Sequence, residues 1–317
     1  MKKFERDRLV LESLSFRQND LNASAILPLA SGPFYHENLA CVAQAMNRAK
    51  QKNAAIILMM GAHVLRDGAQ RFIIDLIKRG YITCIALNGA CVIHDFEFAL
   101  VGATTESVAR YIKDGRFGMW RETGQINDIV NATRGTDLGM GKAVGKFIFE
   151  GDFPNKETSI LAQAYGNNVP ATVHVSIGYD IIHQHPNFDG AATGAASYRD
   201  FLTFASQIEN IEQGVVMNFG SAVMAPEVFL KALSMARNIA RQDNRSIGAF
   251  TTLVCDLRDL PEDVTIEASK ETDGYYFRPW KTMLIRTLMD GGKGYYVKGR
   301  HKETIPALWT QIGKLNY

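Results

Sequence analysis

The strongest constraint on this chain is a pair of apolar runs without polar alternation, Ala54 to Met60 and Tyr81 to Leu87. A strand with one wet face alternates apolar and polar residues, whereas a strand buried on both faces has no reason to. Between the runs, Ala69, Phe72, Ile73, Leu76 and Ile77 recur at the spacing of one helical face within Gly68 to Arg79. Gly80 then follows Lys78 and Arg79, a glycine stop behind cations that suit the negative end of a helix dipole. The segment reads as strand–helix–strand, a connection that joins parallel neighbours. In an open parallel sheet, ligands bind beyond the carboxyl ends of the strands. Both runs end there in small residues, Gly61-Ala62 and Asn88-Gly89-Ala90, and these turns are expected to floor a binding site.

The rest of the chain repeats the alternation. Residues 1–22 are polar and weakly patterned and read as an N-terminal arm or a short surface helix, followed by one large domain over 23–317. Ala25 to Ala30 is strand-like, and Glu37 to Lys50 is a helix with Leu39, Val42, Ala43 and Met46 on one face. Cys91 to Val101 is helical and carries His94, Asp95 and Glu97 close to the Asn88 turn. Further strands are expected at Val169 to Ile177, Gly214 to Phe219, Ile247 to Cys255 and Tyr295 to Lys298. The Gly220 turn leads into a helix with Pro226 in its first turn, and a last helix starts near Glu303. This order predicts a doubly wound α/β fold, Rossmann-like, with a mostly parallel sheet.

Composition narrows the function classes. With 35 basic and 33 acidic residues the formal charge is +2, so no basic excess argues for nucleic acid or an anionic membrane. The charged start Met1-Lys2-Lys3-Phe4-Glu5-Arg6 does not suit an export signal, and no apolar run is long enough to span a bilayer. Cys41, Cys84, Cys91 and Cys255 form no Cys-x-x-Cys pair, which suits a reduced, cytoplasmic protein.

Several constellations invite chemistry. Turns at Gly61, Gly89, Gly178 and Gly220 would let backbone N–H groups approach an anionic cofactor, although Gly-x-Gly-x-x-Gly is absent. Gly135-Thr136-Asp137-Leu138-Gly139-Met140-Gly141-Lys142-Ala143 fails as a phosphate loop, with Thr136 at the first glycine and Ala143 after the lysine, and reads as a connector or lid. His183 and His185 would share one side of a strand and, with Asp180 and Asp189, could hold zinc or iron for a hydrolase or lyase. Local hydrogen bonding is the simpler reading, and no metal is expected. In Tyr275-Tyr276-Phe277-Arg278-Pro279-Trp280-Lys281, ahead of a helix at Met283, a lysine desolvated by aromatics could become a neutral nucleophile, against the plainer reading of a surface loop around a half-buried tryptophan.

From Gly61-Ala62-His63-Val64-Leu65-Arg66-Asp67-Gly68 through Asn88-Gly89-Ala90-Cys91-Val92, His94-Asp95, Tyr179-Asp180-Ile181-Ile182, the Gly220 turn and Trp280-Lys281, the order and spacing resemble deoxyhypusine synthase. The resemblance covers most of residues 40–310. It implies an NAD-dependent aminobutyl transferase, usually a homotetramer, that oxidises spermidine, holds the product as a lysine imine and passes it to an acceptor protein. By that likeness Gly61, Ala62, His63, Asn88, Gly89, Ala90 and Gly220 bind NAD, and Asp180, His183 and Trp280 hold the amine. Lys281 forms the imine and His94 assists. The sequence departs from the family at Ile93 and His94, where paired acids would stand, at Val175, where another acid would, at Pro226 or Ala225, where a histidine would, and between Trp280 and Lys281, where one residue is missing. The alternatives are the metal-dependent enzyme at His183 and His185, or an NAD-binding relative without catalysis.

Overall fold

The computed structural model describes residues 4–315, so the expectations for Met1-Lys2-Lys3 lie outside the described residues. Its strands are β1 (Asn19–Asn22), β2 (Ile56–Met60), β3 (Cys84–Asn88), β4 (Ala103–Glu106), β5 (Ala171–His174), β6 (Val215–Phe219), β7 (Thr251–Asp256) and β8 (Lys293–Lys298). The helices are α1 (Glu37–Gln51), α2 (His63–Arg66), α3 (Gln70–Lys78), α4 (Gly89–Val101), α5 (Val108–Tyr111) and α6 (Gln125–Asn131). They continue with α7 (Met140–Glu150), α8 (Ile160–Gly166), α9 (Gly190–Ile208), α10 (Met224–Gln242), α11 (Asp273–Tyr276) and α12 (His301–Lys314).

Six strands form one all-parallel sheet in the order β5-β3-β2-β6-β7-β8. Counted along the chain this is 3-2-1-4-5-6, the arrangement of dinucleotide-binding folds, and the order reverses between β2 and β6. The uniform apolarity of β2 now has its cause. Ile56, Leu58 and Met60 enter one core with α1, α3, α4, α8 and α12, while Ile57 and Met59 enter the other with α10 and the end of α9. Every β2 side chain is buried, each worth about 1.5–3 kcal/mol against exposure. The doubly wound α/β expectation is met.

The local expectations fare unevenly. Ala25 to Ala30 is not a strand: a 3-10 turn at Ala23–Ala25 is followed by extended chain whose Leu27 N–H donates to Gly68 O, with no strand alongside. The strand expected over Val169 to Ile177 shrinks to Ala171–His174, because the chain turns at Ser176-Ile177-Gly178. Trp280 and Lys281 do not precede a helix but lie within a π-helical stretch, Pro279–Ile285. Residues 4–22 form two 3-10 turns and β1, which pairs antiparallel with β4. This segment is held by its backbone and by Arg17, whose side chain is 1% exposed. No described helix is long and apolar enough to cross a membrane.

Candidate functional site

Asn88 ends β3 and caps α4, its side-chain oxygen accepting from the Cys91 N–H. The helix that follows is nearly all buried, so each polar residue on it needs a partner. Asp95 turns away from the strand ends and accepts from Ser159 Oγ and the Ile160 and Leu161 N–H groups, capping α8. Burial nevertheless raises it to about 6. His94 and Glu97, with Ala90 and Ile93, face the other way and line a cavity of about 260 Å³. Arg17, Arg66, Thr105, Glu106, Val108, Phe117, Tyr179, Asp180 and Ile181 complete its wall. Of the expected site residues the cavity thus gathers His94, Ala90 and Asp180.

The cavity is polar and incompletely satisfied. Arg66 Nε, Thr105 Oγ1 and Glu106 Oε2 are buried without a hydrogen-bond partner. A buried polar atom left unpaired costs roughly 1–3 kcal/mol, so three on residues lining one cavity mark a place for a ligand or water. Thr105 also sits at φ 69°, a left-handed conformation unusual for a β-branched residue. Glu106 Oε1, by contrast, accepts from Trp120 Nε1 at 2.9 Å and the Gly118 N–H at 3.0 Å, so only its second oxygen is free. Burial holds the Glu106 carboxyl above the usual range.

Asp180 enters from the turn after β5. Burial raises it from its ordinary 3.8 to about 6, so it titrates close to neutrality. His183 braces that turn: its Nδ1 accepts from the Gly178 and Asp180 N–H groups at 3.1 Å each, which puts the ring proton on Nε2, 3.7 Å from Asp180 Oδ2. His183 therefore stands behind Asp180 and does not line the cavity. His94 is pushed down to about 4, first by burial and then by Arg66, Arg17 and His63 against the opposing Glu97, and is neutral near pH 7.

The glycine turns have specific causes. A Cβ on Gly61 would strike the Gly220 carbonyl, so the ends of β2 and β6 touch backbone to backbone where the strand order reverses. Gly220 has φ 68° and packs on the His301 ring, whose Nδ1 is buried and unpaired. A Cβ on Gly89 would collide with the Asp180 carboxylate, so the start of α4 faces an acid and not an open anion cradle. Among the cofactor positions expected, Gly61 and Gly220 meet at the switch point with Ala62 and His63 beside them, while Asn88, Gly89 and Ala90 belong to the cavity side.

The remaining candidates lie elsewhere. His183 and His185 sit in and after a 3-10 turn, Ile181–Gln184, not along a strand, so their rings have separate partners; His185 Nε2 meets Gly118 O at 2.6 Å. No described group of three or more His, Cys, Asp or Glu could hold a metal ion. Lys281 Nζ stands 3.7 Å from the centre of the Tyr275 ring, and Trp280 Nε1 donates to Val264 O. Neither lines the cavity. Arg66, Thr105 and Glu106 were not singled out from sequence, because Ala103-Thr104-Thr105-Glu106 has no patterned signal; Glu97, three residues after His94 on the same helical face, was the one visible hint.

A family model for the C-terminal Rossmann-fold domain of ArgZ-like arginine dihydrolases matches residues 40–148. No curated protein matches the chain. Among solved structures, apo ArgZ, an arginine dihydrolase from the ornithine–ammonia cycle in cyanobacteria, superposes with a TM-score of 0.53 at 14% identity, over 89% of this chain and 33% of ArgZ. AgrE in ternary complex with ornithine and NAD+ gives 0.50 at 14% identity, over 89% of this chain and 34% of AgrE. A conserved protein of the LOR/SDH type from Methanococcus maripaludis S2 gives 0.52 at 17% identity, covering 91% of this chain and 73% of that one. The likeness to deoxyhypusine synthase, from Entamoeba histolytica, stops at a TM-score of 0.49 and 10% identity and carries no argument for that family. The chain spans about a third of the length of ArgZ and AgrE. What it shares with ArgZ, AgrE and the Methanococcus protein is a fold, the Rossmann-type doubly wound sheet.

Proposed function

We propose that the protein is an NAD-dependent enzyme acting on a small amine-bearing substrate held in the cavity beside α4. The observation that carries this reading is the cavity itself: unpaired Arg66 Nε, Thr105 Oγ1 and Glu106 Oε2 lining it together with Asp180, at the carboxyl end of a 3-2-1-4-5-6 sheet. At about 260 Å³ it is near the small end of ligand pockets, roughly 300–1,000 Å³, so it suits an amino-acid-sized molecule and not a whole dinucleotide. The cofactor is better placed across β2 and β6. There Gly61, Ala62, His63, Gly220, Ser221 and His301 would hold it, and the orphaned His301 Nδ1 fits a ligand that offers a hydrogen-bond partner. AgrE, which has a similar fold and was solved with ornithine and NAD+, supports NAD as the cofactor without bearing on its placement.

When bound, the nicotinamide would accept a hydride from the substrate. The chain's own residues would do the rest. Asp180 and Glu106 oppose an ammonium, Arg66 offers N–H to an anionic or carbonyl group, and Asp180, near pKa 6, can take a proton at neutral pH. The lysine-imine transfer implied by deoxyhypusine synthase would need Lys281, which does not line the cavity; we therefore favour amine oxidation without it.

Titrating NAD+ and NADH by calorimetry and thermal shift tests the cofactor, since ligand at ~100 times its dissociation constant adds about 2.7 kcal/mol. Binding is expected, and Gly61→Val should remove it by forcing the β2 and β6 turns apart. No response to NAD+, NADH or their phosphorylated forms would sink the reading. Diamines and basic amino acids, added with NAD+, should then give a further shift that Asp180→Asn abolishes.

A further inference from the structure

His94 is one end of a buried chain that begins in the N-terminal segment. Arg17 grips Glu97 with two parallel bonds of 2.8 Å, Nη1 to Oε1 and Nη2 to Oε2, and both side chains are 1% exposed. Thr123 Oγ1 donates to Glu97 Oε1 at 2.7 Å and Thr104 Oγ1 donates to Oε2 at 2.6 Å. Thr104 Oγ1 is also 2.7 Å from His94 Nδ1.

The protons in this chain can be counted. A carboxylate paired with a guanidinium is ionised and only accepts. With four donors on Glu97, the single Thr104 hydroxyl proton points at it. Thr104 then has only lone pairs to offer His94, so Nδ1 must carry the proton and Nε2 must be bare. We infer that Thr104, Glu97 and Arg17 are positioning residues that lock His94 as its Nδ1–H tautomer and present Nε2 as a fixed hydrogen-bond acceptor to whatever occupies the cavity.

The Arg17–Glu97 pair is held in turn by the backbone of the arm. β1 pairs with β4, the strand that carries Thr104, at Leu21↔Thr104, and Arg17 Nε donates to Asn19 Oδ1. Residues far from the cavity in sequence thereby choose which nitrogen of His94 is free. A neutral imidazole suits this role, because protonation would turn the acceptor into a donor. The ligand complementary to it presents an N–H or O–H at that point, as a protonated amine does.

This inference deepens the functional reading and rests on it for the identity of the occupant, but the tautomer does not depend on any ligand, so the two fail separately. The test is long-range proton–nitrogen correlation NMR on the full chain labelled at histidine nitrogen, at neutral pH, with the His94 signals assigned by their absence in His94→Gln. The expected spectrum has a pyrrole-like Nδ1 and a pyridine-like Nε2 for His94. His183, whose Nδ1 accepts two backbone N–H groups, should show the opposite tautomer and serves as an internal standard. Thr104→Val removes the acceptor and should shift His94 to a mixture or to Nε2–H, while Thr104→Ser should restore the wild-type pattern. An Nε2–H tautomer in the wild type, or an unchanged Nδ1–H signal in folded Thr104→Val, overturns the inference. If Thr104→Val does not fold, the wild-type and Thr104→Ser spectra decide alone. Failure of NAD+ to bind, with the tautomer as expected, would leave the lock standing and remove only the function.

Discussion

Helices α4 and α7 both begin beside an aspartate, half-buried Asp180 and buried Asp200, and the two differ in what surrounds them. Asp200 faces the start of α7, where its Oδ2 accepts from the Gly141 N–H and, across the sheet edge, from the Val173 N–H, each at 2.9 Å. A Cβ on Gly139 would strike its carboxylate. It therefore fastens α7 to edge strand β5 and fills the place where an anion would sit, which gives the glycine-rich segment Gly135 to Lys142 a structural purpose. A cavity of about 370 Å³ opens there, larger than the one at α4, yet none of its lining atoms is buried and unpaired. Asp180 covers the start of α4 in the same way, but its cavity retains three orphaned polar atoms and a strained threonine. Satisfied polarity builds structure, and unsatisfied polarity is what a ligand completes. Cavity size ranks these two places in the wrong order.

The largest expected effect tests whether the site is built on the arm. Arg17→Ala strands the Glu97 carboxylate in the interior and should cost about 3–5 kcal/mol in urea denaturation. A loss under about 1 kcal/mol would mean that the arm is dispensable to the α4 side and that the comparison needs another basis.

The two aspartates themselves should part company next. Burial raises Asp200 to about 7, so its part as a cap is read near pH 4, where it is protonated when folded: there Asp200→Ala leaves two buried N–H groups unpaired and should cost about 2–4 kcal/mol, with ligand binding unchanged. Asp180→Asn should do the reverse, abolishing the amine-dependent shift while stabilising the free protein above pH 6. The sign follows from its raised pKa: between pH 4 and 6 the folded protein keeps a proton that the unfolded chain has released, so stability falls as pH rises through that window and levels off above about 6. Asn cannot suffer that loss, so the variant's advantage should open from zero below pH 4 to about 2–3 kcal/mol at pH 8. Equal melting curves at pH 8 would show that Asp180 carries its charge in the fold at no cost.

The smallest effect concerns strain. Thr105→Gly relieves a left-handed β-branched residue and should stabilise by about 1 kcal/mol, while weakening any cavity ligand through loss of Oγ1. A variant that is less stable, with ligand binding intact, would make Thr105 a packing residue and remove the strain from the argument.

Much of the architecture was legible without coordinates. Unbroken apolarity at Ile56 to Met60 and Cys84 to Leu87 can be satisfied only by burial on both faces, and the 3.6-residue pattern from Ala69 to Ile77 only by a helix against them. From these the parallel doubly wound sheet and the end at which it binds ligands followed, because both depend on periodicity and handedness that short segments carry. The His94 side of α4 was legible for the same reason. What only the tertiary structure decided is which polar atoms go unpaired. That depends on contacts between residues far apart in the chain: Arg17 with Glu97, Leu21 beside Thr104, Asp180 against Gly89, Asp200 across from Gly141. Residue type and spacing say that an aspartate needs partners. They do not say whether the polar atoms around it are also paired, and on that difference, three unpaired atoms beside Asp180 and none around Asp200, rests the assignment of Asp180 to a site and Asp200 to the scaffold.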